Sequence, residues 1–84
     1  MTEDERNQLY KSLDEIFCEI LDLPEKSNLD CLTMLNTQKW DSLAMVNLIA
    51  AIESSYSLKL ESSDYGVMTS VVAVRMLVEE KLNN

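Results

Sequence analysis

One proline, Pro24, and one glycine, Gly66, interrupt 84 residues. Proline breaks a helix by removing an amide donor and clashing with the preceding turn. Glycine in a helix interior costs about 1 kcal/mol relative to alanine. A chain this poor in both, and rich in Leu, Glu, Met and Ala, is set up for helix. Leu9, Leu13, Ile16 and Ile20 recur at helical spacing with Phe17 beside them, which predicts an amphipathic helix from about Glu3 to Leu21, ended by Pro24. Thr2 followed three residues on by Glu5 is a capping box. A second helix is expected from Asp41 or Ser42 to about Tyr56. A short helical turn at Ser62–Tyr65 stops at Gly66, and a last helix begins near Thr69 or Ser70 and reaches about Leu82, with Val71, Val74, Val78 and Leu82 as its apolar stripe. No alternating strand pattern competes. The expected architecture is all-α: a four-helix up-down bundle of three main helices and one short one, with a long first loop.

That loop, Asp22 to Trp40, has no sustained period. Structureless connections beyond about 12–15 residues are uncommon in compact domains and tend to be functional. Leu29, Leu32 and Leu35 are expected to plug one end of the bundle, with a helical turn near Asp30–Met34, and Cys31 and Trp40 are expected to pack.

Composition removes whole function classes. The length fits one small domain over residues 1–84. With no histidine there is no Ser-His or Cys-His dyad. Two cysteines and no histidine cannot make a four-ligand zinc site, and no EF-hand pattern is present, so no metal is expected. Fifteen acids against seven bases give a net charge of −8, which argues against nucleic acid and anionic membrane. The acidic stretch Met1–Asn7 is unlike a signal peptide, and the longest apolar run, Leu48–Ile52, is far short of the roughly 20 residues that span a bilayer. The expectation is a cytoplasmic monomer without membrane insertion. Its cysteines should be reduced, with Cys18 on the solvent side of its helix.

The second helix carries two stripes. Met45, Leu48, Ile49, Ile52 and Tyr56 share one face and read as core. Leu43, Val46 and Ala50 lie on another side, among Asn47, Glu53 and Ser54. They are either an exposed apolar strip for a partner or a surface covered by the long loop or the short helix. Ser42 stands at the head of this strip. Asp41 or Ser42 caps the helix start, where free amides and the positive end of the helix dipole also favour a phosphate.

Asp41-Ser42-Leu43 opening an amphipathic helix halfway along an acidic helical chain resembles the acyl carrier protein family. The likeness extends from about Glu5 to Leu82. It includes Leu43-Ala44-Met45-Val46-Asn47-Leu48-Ile49, Ala51-Ile52-Glu53, the Tyr56-Ser57-Leu58-Lys59-Leu60 exit and Thr69-Ser70-Val71. The resemblance implies that a phosphopantetheinyl transferase attaches 4′-phosphopantetheine from coenzyme A to Ser42 through a phosphodiester. The arm's thiol then carries acyl intermediates as a thioester. Asp41 would position the serine, and Leu43 would flank the attachment point. Leu43, Val46, Asn47, Ala50 and Glu53 would dock partners such as acyl-loading enzymes, ketosynthases or acyltransferases. Met45, Ile49 and Ile52 are candidates for contact with a cargo folded back among the helices. The reactive group would belong to the arm, so the chain is expected to have no catalytic residue and not to be an enzyme.

The sequence departs from the family in two places. Lys39-Trp40 stands where many carriers have a glycine, and the Gly-Gly pair usual in peptidyl carriers is missing. Positions that are acidic in typical fatty-acid carriers are Ala44, Asn47 and Ser54, with only Glu53 acidic. These differences point to a specialised fatty-acid, polyketide, secondary-metabolite or cell-envelope pathway. The alternative reading is a small acidic helical adaptor that binds partners through Leu43, Val46 and Ala50 without a prosthetic group.

Overall fold

The computed structural model describes residues 2–24 and 28–83, and these are helical with connecting turns. The order is α1 (Glu3–Ile20), α2 (Ser42–Tyr56), α3 (Ser62–Tyr65) and α4 (Val71–Asn83). No helix among the described residues is long and apolar enough to cross a membrane.

The expected capping box forms at the start of α1. The Glu5 amide donates to Thr2 Oγ1 at 3.2 Å, and the Thr2 amide donates to the Glu5 carboxylate at 3.4 Å. The other end stops before Pro24. Asp22 adopts a left-handed conformation at φ 55°, and the Leu23 amide reaches back to the Cys18 carbonyl at 2.9 Å. This is a Schellman-type stop made without glycine. α2 ends in the same left-handed region, at Ser57 (φ 52°). Gly66 follows α3 with an ordinary right-handed φ of −67°, so the stop there does not use glycine's conformational freedom.

α1 packs against both α2 and α4. Its buried face is Leu9, Leu13, Phe17 and, just beyond the helix, Leu21, whereas Ile16 and Ile20 are half-buried. The core-facing row is therefore an i, i+4 series rotated toward Phe17. In α4, Val71, Val74 and Val78 are fully buried as expected. Leu77 joins them, and Leu82, expected in the stripe, lies at the surface.

The first loop behaves differently from expectation in three places. Leu29 is buried and Leu32 half-buried, but Leu35 is wholly exposed at 100% and plugs nothing. The helical turn expected at Asp30–Met34 shrinks to a single turn closed by the Leu32 amide on the Leu29 carbonyl at 3.1 Å, and no helix forms there. Instead the loop pairs with the start of α4: Thr33 bridges Ser70, the Met34 amide donates to the Thr69 carbonyl at 2.9 Å, and the Val71 amide donates to the Leu32 carbonyl at 3.1 Å. Those backbone bonds direct the Leu35 side chain's segment away from the core. Cys31 is exposed rather than packed, and Cys18 is half-buried, its thiol 3.6 Å from the Pro24 carbonyl, rather than facing open solvent.

Polar side chains lock α4 to α1 and to the loop. Arg75, its side chain 13% exposed, donates to both Asp14 oxygens at 2.8 Å and to Asp30 at 2.7 Å, and lies 5.4 Å from the Tyr10 ring centroid. One turn along, Glu79 accepts from Tyr10 Oη at 2.7 Å and Arg6 Nε at 2.8 Å. Those two donors hold the Glu79 carboxyl below its ordinary pKa, and burial raises that of Tyr10.

Candidate functional site

Ser42 is the first residue of α2 and is exposed. Asp41 precedes it in extended conformation (φ −103°, ψ −170°) as the N-cap. Its Oδ1 accepts the Ala44 amide at 2.9 Å, and its carbonyl accepts the Met45 amide at 2.9 Å. Of the first-turn amides, those of Ser42 and Leu43 have no carbonyl four residues back within the helix. They and the dipole favour negative charge at this end. No acidic residue occupies the first turn of α2 to oppose it.

The residue before the cap anchors the helix start. Trp40 is buried at 3% exposure, and its ring meets Phe17 of α1 edge-on, with centroids 5.2 Å apart and planes at 62°. Its Nε1 is buried without a hydrogen-bond partner among the described residues. Lys39 reaches back to the Asp22 carbonyl at 3.3 Å and its carboxylate at 3.5 Å. Asp41 and Ser42 therefore follow directly on a residue fixed in the core.

Beyond Ser42 the two stripes separate. Leu48 and Ile52 are buried, and Met45, Ile49 and Tyr56 are half-buried, with Tyr56 Oη donating to Ser12 Oγ at 2.7 Å. Ala44, which stands at a position that is acidic in typical fatty-acid carriers, is buried with Leu48, because it lies about 40° from it around the helix. The opposite side is uncovered. Leu43 is 70% and Val46 62% exposed, and Asn47 and Ala50 are exposed with them. The exposed residues of α2 are Ser42, Leu43, Val46, Asn47, Ala50, Ser54 and Ser55, and none is charged. Glu53, the one acid of α2, is half-buried, and its Oε2 accepts the Leu60 amide at 2.9 Å, holding the α2–α3 connection.

The surface also carries a groove of about 560 Å³ lined by Thr33, Met34, Leu35, Thr69 and Ser70, where the loop crosses the start of α4. A second, of about 340 Å³, is lined by Glu15, Cys18, Glu19 and Leu23. Neither lining includes the cavity candidates Met45, Ile49 or Ile52. No sequence signal pointed to the first groove, because it depends on a pairing between residues far apart in the chain, Thr33 and Ser70. Among the described residues no cluster of three or more His, Cys, Asp or Glu side chains is placed to hold a metal ion. No protein-family model matches the chain, and no curated protein matches it.

Proposed function

We propose that the chain is an acyl carrier, with Ser42 as the attachment point of 4′-phosphopantetheine. The observation that carries this reading is an exposed serine at the first position of a core-anchored helix capped by Asp41, with no acidic residue in its first turn. The residues fit the group: Ser42 offers its hydroxyl to solvent, and the helix start favours a phosphodiester there. The Asp41 side chain bonds back onto the Ala44 amide and so fixes the backbone from which the serine projects. In the loading step Ser42 Oγ displaces adenosine 3′,5′-bisphosphate from coenzyme A and gives its proton to a base of the transferase. The attached thiol supplies the thioester chemistry.

On this reading the chain is not itself an enzyme. Its helices form an up-down bundle around α1, and it works as a monomeric single domain in a reducing cytoplasm, handing acyl groups to loading enzymes, ketosynthases or acyltransferases of a specialised pathway. The uncovered strip of Leu43 and Val46 also supports the adaptor reading, in which the same surface binds a partner and Ser42 only starts the helix. Incubation with coenzyme A and a broad-specificity phosphopantetheinyl transferase separates the two. The carrier gains the mass of one phosphopantetheine and Ser42→Ala gains none, whereas an adaptor gains none in either form.

A further inference from the structure

We infer that Trp40 is a positioning residue for Ser42: its ring, braced against Phe17 of α1, sets how the chain enters α2 and so where the serine hydroxyl lies. This inference rests on the carrier reading of Ser42. Asp41 is the N-cap of α2, so Trp40 stands just outside the cap. An apolar side chain at that position commonly fixes the angle at which a chain enters a helix. Here it is held from two sides. The ring is 3% exposed and meets Phe17 edge-on with centroids 5.2 Å apart, and the backbone amide donates to the carbonyl of the buried Thr37 at 3.0 Å. The Nε1 donor has no partner among the described residues, so the position uses the body of the ring rather than its hydrogen bond.

Ser42 itself is exposed and sits in the first turn of its helix, where ends fray. Asp41 restrains that turn from the helix side: its carboxylate accepts the Ala44 amide and its carbonyl the Met45 amide, each at 2.9 Å. Asp41 is exposed as well, so water competes for its carboxylate. The restraint from the other side is Trp40, one residue back and fixed in the core. Transfer to a hydroxyl requires the oxygen in a near-attack position, and a displacement of about 1 Å can cost about 10²-fold in rate. Trp40 acts on that position only through the backbone of Asp41. Loosening Phe17, on a different helix, should therefore slow the chemistry at Ser42 as much as loosening Trp40 does.

The test uses the full chain, coenzyme A and a broad-specificity phosphopantetheinyl transferase, with kcat and KM of loading measured well below every variant's melting temperature. Trp40→Leu and Phe17→Leu should each lower kcat roughly tenfold with KM within about twofold of wild type, because both lie in the core and leave the surface of α2 as it is. The double variant should stay within about twofold of the slower single one, since both break the same contact, whereas independent effects would multiply to roughly a hundredfold. Trp40→Phe keeps an aromatic ring and should retain at least about half of the wild-type kcat. Val78→Ala opens a cavity at a fully buried position of α4, outside the Trp40–Phe17 contact, and should melt lower yet load at the wild-type rate. Amide exchange gives a readout free of the transferase: in Trp40→Leu the Ala44 and Met45 amides should exchange roughly tenfold faster while those of α4 are unchanged. If Trp40→Leu does not fold, Phe17→Leu against Val78→Ala decides the same question. A kcat indifferent to Trp40→Leu and Phe17→Leu, a Trp40→Phe as slow as Trp40→Leu, or a Val78→Ala that loses as much overturns the positioning role and leaves the carrier reading standing. A wild-type chain that never loads overturns the carrier reading, and this inference with it.

Discussion

Asp41 and Ala44 are joined by a 2.9 Å hydrogen bond from the Ala44 amide to the Asp41 carboxylate, and Ser42 lies inside the turn that this bond closes. The bond satisfies one of the amides left open at the start of α2 and sets the backbone from which the serine hydroxyl projects. Asp41→Ala is expected to cost about 1 kcal/mol, a fall in Tm of roughly 4–8 °C for a domain of this size. Asp41→Asn keeps an oxygen acceptor and should melt near wild type. Thermal unfolding followed by circular dichroism checks both.

Arg75 joins three parts of the fold: its own helix, Asp14 of α1 and Asp30 of the first loop. Arg75→Met removes charge-assisted bonds and leaves Asp14 without its cation, for an expected loss of about 1–3 kcal/mol in urea unfolding. The two contacts are unequal, because the Asp30 side chain is 67% exposed and Asp14 only 33%. In double-mutant cycles the coupling of Arg75 to Asp14 should exceed its coupling to Asp30, which water and salt screen.

Acid should loosen the α1–α4 contact at Glu79. Its carboxyl is held below the ordinary 4.5 by hydrogen bonds from Tyr10 and then Arg6. A carboxylate with a depressed folded-state pKa stabilises the fold above its unfolded value, and that contribution disappears as pH falls through the folded value. Melting temperature should therefore decline below about pH 4.5 more steeply in wild type than in Glu79→Gln, which no longer titrates at this position. Equal slopes in the two proteins would contradict the assignment.

The two faces of α2 should respond oppositely to truncation. Ile52 is fully buried, so Ile52→Ala is expected to cost about 2–5 kcal/mol through lost burial and a cavity. Val46→Ala, on the exposed side, should remain within about 0.5 kcal/mol of wild type. Parallel urea unfolding of the two variants measures the contrast.

Local chemistry made much of the fold legible. Thr2 with Glu5 fixes where α1 begins, and Asp41 fixes where α2 begins, since each cap is a bond between residues three apart. The separation of Leu43 and Val46 from Leu48 and Ile52 follows from helical geometry alone. What covers a surface does not, and the exposure of that strip emerged only with the packing. The misplaced residues depend on long-range pairings. Leu35 is exposed because its neighbours Leu32 and Met34 bond to Val71 and Thr69. Arg75 sits in the valine-rich start of α4, and nothing local links it to Asp14 or Asp30. Ser57 and Asp22 end their helices in left-handed conformations usually left to glycine. Around Ser42, the motif marked the serine and its cap, while the inward bond of Glu53 to Leu60 became visible only with the α2–α3 connection in place.

Whether Ser42 carries the prosthetic group is read out by peptide-level mass spectrometry. The chain is incubated with coenzyme A and transferase, digested, and the fragment spanning Trp40 to Lys59 sequenced. A carrier shows one phosphopantetheine, located on Ser42 and absent from Ser42→Ala. An unmodified Ser42 fragment, or the same addition on another residue such as Ser54 or Ser55, would contradict it.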